Sequence, residues 1–120
     1  ENTIVTVVEN NPANPNYKPL QENLERLHGE TNLTGGKFDI VPLPMPAPLL
    51  FKNQWLPASY ANFYIANNTV LVPTFNDPAD RQALGILADL FPTRTVVGIH
   101  CVDLVWGLGT LHCLSQQEPA

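Results

Sequence analysis

At 120 residues and 44% hydrophobic content the chain suits one small domain with a buried core, and its formal net charge of -5 supplies no basic stripe for phosphates, which excludes nucleic-acid binding. No stretch approaches the roughly 18 apolar residues of a membrane span, and the run Val41 to Leu50 is broken by Pro42, Pro44, Pro46 and Pro48. Two cysteines without a secretory signal read as free thiols in a reducing, cytoplasmic setting, and the acidic balance mildly favours a cationic substrate. The sequence opens on Glu1 rather than methionine and enters a strand-like run almost at once, the pattern of a fragment, a processed product or a trimmed one.

The first third reads strand, helix, strand. Ile4 to Val8 is a β-branched run, followed by the turn-rich Asn10 to Asn16. Pro19 is expected to open a short helix with Leu20, Leu24 and Leu27 on its apolar face, stopping at Gly29. Gly35-Gly36 turns the backbone into a second strand, Phe38 to Leu43. From Pro42 to Pro57 the prolines predict a stiff extended loop, neither helix nor interior strand, with Phe51 and Trp55 along it. Such a loop is either a solvated connector or the rim of a site.

The remainder reads more clearly. Asn62 to Ala66 and Thr69 to Thr74 are strands flanking Asn67-Asn68, a hairpin turn for which Asn accepts the positive φ angles required. Asp77 is expected to cap a helix, with Pro78 in its first position and Asp80 in its first turn. Ala83, Leu84, Leu87, Leu90 and Phe91 form the apolar face, and Pro92 ends it. Arg94 to Ile99 is a further strand and Leu111 to Ser115 another, the latter carrying Cys113.

Cys113 is the leading candidate for chemistry. It follows the glycine-bearing turn Trp106-Gly-Leu-Gly109, and a cysteine acts as a nucleophile once it is a thiolate. On a strand, His112 would face away from it, so the neighbouring imidazole is not expected to be its base. The same divergence argues against a metal site built from His100-Cys101 and His112-Cys113. A Cys101 to Cys113 disulfide is the formal alternative, and Cys101 otherwise reads as a small buried hydrophobe.

Three separated stretches together resemble the C-terminal part of the agmatine deiminases, in the wider guanidino-modifying (pentein) superfamily. They are Leu56-Pro-Ala-Ser-Tyr-Ala-Asn-Phe-Tyr-Ile-Ala-Asn67, Val72-Pro-Thr-Phe-Asn-Asp-Pro78 and the ending around Thr110-Leu-His-Cys-Leu-Ser-Gln-Gln117. The resemblance implies an α/β (α+β) fold of small mixed sheets with one helix each, about two ββαβ modules of an α/β propeller. In that scheme 1-44 is an incomplete module, 45-57 the proline-rich loop, and 58-120 a ββαβ module ending in the cysteine-bearing strand. It further implies hydrolysis of a guanidinium group through a covalent Cys113 adduct, agmatine or peptidyl-arginine being the substrate, with no cofactor and no metal. Asn62, Gly109 and Trp106 become candidate substrate-binding residues; Asn62 otherwise reads as a loop cap, and Asp103 as a loop hydrogen-bonding residue. The family's base and guanidinium-binding carboxylates fall outside these stretches. Open sheet edges predict a homo-oligomer or a partner polypeptide, and a binding module is the alternative to an enzyme.

Overall fold

The structure, a computed structural model, describes residues 2–118 as a mixed α/β protein with small sheets and two helices, in two compact units, Glu1–Pro44 and Met45–Ala120. In the first unit, β1 (Thr3–Val8) and β2 (Asp39–Pro44) pair in parallel from Thr3 opposite Asp39 to Val8 opposite Pro44. Parallel neighbours need a crossover, and α1 (Tyr17–Gly29) supplies it. The preceding loop is shaped by its own side chains: Glu9 accepts from Asn11 N–H at 2.8 Å and from Asn14 Nδ2 at 2.7 Å. Asn23 Nδ2 of α1 donates to the buried Thr6 hydroxyl at 3.1 Å, fixing helix to strand beside the half-buried Leu20, Leu24 and Leu27.

Two boundaries differ from expectation. The helix begins at Tyr17, so Pro19 sits third rather than first; it is tolerated because first-turn N–H groups have no partner within the helix. Strand β2 continues through Pro42 and Pro44. Prolines at every second position lose their N–H on one side only, and among the described residues β2 is paired on one side only, to β1.

The second unit contains a small hairpin inside the segment expected to be an irregular loop. Here β3 (Leu50–Phe51) and β4 (Gln54–Trp55) are antiparallel around Lys52 and Asn53, with φ of 48° and 62°. Two successive positive φ angles are those of a type I′ turn, whose twist matches that of paired strands. At Asn67-Asn68 the reverse holds. A hairpin forms there, closed by Ala66 N–H to the Thr69 carbonyl at 2.8 Å, but neither asparagine has positive φ. Without the primed-turn twist the strands diverge, and β5 (Tyr64–Ile65) pairs with β6 (Thr69–Thr74) over two residue pairs only.

Strand β6 lies between β5 and β7 (Thr95–His100), which runs parallel to it after α2 (Ala79–Leu90). Pro73 is accommodated because it lies two residues past Leu71, the last position paired to β5. Val70, Val72, Phe75, Ala83, Leu87 and Tyr60 form the core. Cys101 is also buried: its N–H donates to the Thr74 carbonyl at 2.9 Å, and burial raises its thiol pKa.

The start of α2 organises this unit. The helix starts one residue later than expected, with Pro78 at its N-cap rather than in its first position. Asp77 Oδ1 accepts from the first helical N–H, that of Ala79, at 2.8 Å, while Asp80 Oδ2 reaches back to Asp77 N–H, before the helix, at 3.1 Å. Asp80 Oδ1 takes two further donors, Phe75 N–H at 3.0 Å and the Tyr60 hydroxyl at 2.8 Å. Asp77 Oδ2 accepts from Ala47 N–H at 2.9 Å, which ties the proline-rich segment to the helix. Burial, and then the Asp80 carboxylate, push the Tyr60 phenol well above its ordinary value.

Replacing Asp80 by alanine strands three donors, two of them backbone N–H groups, and is expected to destabilise the protein by about 3 kcal/mol in urea titrations. Because the Tyr60 pKa is raised on folding, the unfolded state loses its proton first, so stability falls as pH rises past the ordinary tyrosine value of about 10. Melting curves at increasing alkalinity should show this fall in the wild type and a shallower one in Tyr60→Phe.

Candidate functional site

The segment expected to be the cysteine-bearing strand is instead a hydrogen-bonded turn. Leu114 N–H donates to the Thr110 carbonyl at 3.1 Å and Ser115 N–H to the His112 carbonyl at 3.2 Å. Leu111 to Ser115 is apolar enough to read as a strand, but among the described residues no strand lies beside it to complete a ladder. What it meets is the side chain of Asn62.

Asn62 Oδ1 accepts from His112 N–H at 2.8 Å and Cys113 N–H at 3.2 Å, and Nδ2 lies 2.8 Å from Cys113 Sγ. The Asn62 backbone carbonyl accepts a second, longer bond from His112 N–H at 3.2 Å. One carboxamide therefore holds the backbone of the turn and donates to its sulfur. Asn62 lies two residues after Tyr60, whose hydroxyl is fixed to Asp80, and Asn62 N–H itself donates to the Ser59 carbonyl at 3.2 Å. Its position is thus inherited from the capped start of α2.

Cys113 is exposed and Cys101 buried, and both are free thiols. Thiolate chemistry is accordingly accessible at 113 alone. Since the turn is not a strand, alternation of side chains does not govern His112. Its ring lines an open depression of about 400 Å³ with Ala61, Phe63, Ile65 and Gln117, and no hydrogen bond joins it to Cys113 among the described residues. Among those residues no three His, Cys, Asp or Glu side chains gather as metal ligands would.

The other two candidates lie in the stretch of sequence that leads into this turn. A 3-10 turn, Leu104–Gly107, carries Trp106, which stacks on Phe51 of the β3–β4 hairpin at 4.3 Å between ring centroids. Trp106 remains 51% exposed. Its partner is therefore the hairpin, while Asn62 and Gly109 are the candidates gathered at Cys113. Gly109 is buried, and an atom at its Cβ position would lie 2.6 Å from Cys113 Cβ. Leu108, between Gly107 and Gly109, is the left-handed residue of this turn at φ 67°. Thr110 is buried with its hydroxyl unpartnered among the described residues. Asp103 stands immediately before the 3-10 turn, and its backbone carbonyl accepts from Trp106 N–H at 3.3 Å.

Sequence reasoning did not find the hairpin under Trp106, although Lys52-Asn53 was the signal available. Nor did it find the pairing of Asn62 with Cys113, which are 51 residues apart.

Comparison with known proteins identifies the family. The agmatine deiminase of Pseudomonas fluorescens SBW25 is 35% identical over 127 residues, an alignment covering 91% of this chain and 34% of that protein. A solved structure from Porphyromonas gingivalis superposes with a TM-score of 0.96 at 41% identity, over 98% of this chain and 35% of the other. The Campylobacter jejuni agmatine deiminase gives 0.84 at 33% identity, over 93% and 33%. The sequence spans about a third of the length of the relatives it matches. Residues 1–119 match the family described as Porphyromonas-type peptidyl-arginine deiminase, and to that family the protein belongs.

Proposed function

We propose that this protein supplies the nucleophile of a guanidino-modifying hydrolase of the agmatine deiminase type, with Cys113 as the attacking group. The observation that carries the reading is an exposed thiol held by a carboxamide donor at 2.8 Å, within a member of this family. The Cys113 thiolate forms a C–S bond to the guanidinium carbon, and one terminal nitrogen, protonated, leaves as ammonia. Water then adds to the thiouronium carbon and expels the thiolate. In net terms one guanidinium and one water become a ureido product and ammonium. Asn62 fixes the sulfur during attack.

Agmatine is the substrate favoured by the relatives' names, peptidyl-arginine the runner-up. On this reading the product is N-carbamoylputrescine, in polyamine synthesis in the cytoplasm, and the two units are parts of a ring of ββαβ modules. The base and the carboxylates that grip the guanidinium would come from outside the matched third.

A second reading has the protein acting with another polypeptide, either a second copy or one that carries the remaining modules. It is favoured by the outer edges of the two-stranded β1–β2 sheet, unpaired among the described residues, and by the exposed Leu50, Trp55, Leu108 and Leu114.

The 120 residues alone are expected to be inactive, and ureido product from agmatine to appear once the remaining modules are supplied in trans, with Cys113→Ser abolishing it; turnover that survives in the serine variant would sink the nucleophile assignment. Native mass on the same sample distinguishes the second reading, since a monomer would count against pairing. Asn62→Ala frees the sulfur and Cys113 N–H, leaves His112 N–H its longer bond to the residue-62 carbonyl, and is expected to lower turnover on the order of a hundredfold, as misplacement of a reacting atom does. In the folded state iodoacetamide should modify Cys113 and spare Cys101, as read by peptide mass.

A further inference from the structure

We propose that Gly109 is a positioning residue for the nucleophile: its bare α-carbon is the floor against which the Cys113 side chain rests, which leaves the sulfur one place to sit. The inference deepens, and rests on, the reading of Cys113 as the attacking group. An atom at the Cβ position of Gly109 would lie 2.6 Å from Cys113 Cβ and 2.9 Å from Sγ, well inside the separation of roughly 3.5–4.0 Å at which non-bonded carbons sit comfortably. Gly107, two residues earlier in the same stretch, has nothing within 4 Å of such an atom.

Backbone freedom does not explain the glycine at 109. The left-handed position of this turn falls on Leu108 at 67°, and among the described residues Gly35 is the glycine with positive φ. What position 109 requires is space, and the occupant of that space is the thiol. Its two neighbours also carry local costs: Leu108 is left-handed and 70% exposed, and the buried Thr110 hydroxyl has no partner among the described residues. Unfavourable local features of this kind persist where the surrounding structure enforces them, and they gather at functional sites. The sulfur's other neighbour is Asn62 Nδ2 at 2.8 Å, so a methyl group at 109 would drive Sγ off its donor.

The test uses the isotopically labelled 120-residue protein and follows the Asn62 carboxamide by NMR. In the wild type that group should carry the downfield displacement of a donor to sulfur. Gly109→Ala should lose the displacement while the backbone signals of β6 and β7 stay in place, and Gly107→Ala should retain it. A global structural role for Gly109 would move the strand signals instead, and an unmoved Asn62 carboxamide in Gly109→Ala overturns the proposal. Should Gly109→Ala fail to fold, adding Cys113→Gly removes the atoms it meets. Recovery of the fold then supports the contact, and no recovery overturns it. Neither readout depends on turnover, so an absence of ureido product with these results intact would count against the proposed function alone.

Discussion

The Asp80 carboxylate is the point on which the larger unit depends. It accepts from Phe75 just past β6, from Asp77 just before α2, and from the Tyr60 hydroxyl. Hydrogen bonds to a charged acceptor are the stronger kind, and each of these joins a different stretch of the sequence. Because Tyr60 precedes Asn62 by two residues, the position of the carboxamide that meets Cys113 follows from a helix cap. Stability and site geometry in this unit therefore share one acidic side chain.

Much of this was legible in the amino acids because it is local. The α2 start was read to within one residue from Asp77, Pro78 and Asp80, and both helices from apolar spacing. The mixed α/β character with small sheets and two helices was likewise readable from element order, while the β3–β4 sheet, which no helix accompanies, was not. The proline segment misled because proline dominates any reading of propensity, although β2 needs N–H groups only at alternate positions and the Lys52-Asn53 turn lies in the proline-free stretch between Pro48 and Pro57. At Asn67-Asn68 the residue type invited a twist that the backbone does not adopt.

The segment around Cys113 was misread for a different reason. Leu111 to Ser115 has no local feature that distinguishes a lone strand from a turn; the deciding partner is a side chain from a distant part of the sequence. The motif marked Cys113 and Asn62 separately, and their meeting is a tertiary fact. Trp106 shows the complementary case. Its stretch was noticed, but its stacking partner Phe51 sits on a hairpin that the prolines concealed.

The same asparagine has one more effect. By accepting from both His112 N–H and Cys113 N–H, Asn62 Oδ1 occupies the backbone donors of the cysteine and of the residue before it. In many acyl-transferring enzymes such donors form the pocket that stabilises negative charge on a carbonyl oxygen in the tetrahedral state. Here they are committed within the ground-state fold, and the turn offers neither of them to an oxyanion. On the proposed reading, attack of the sulfur on an amidinium carbon leaves nitrogen rather than an anionic oxygen on that carbon, so the first step makes no demand on these two donors.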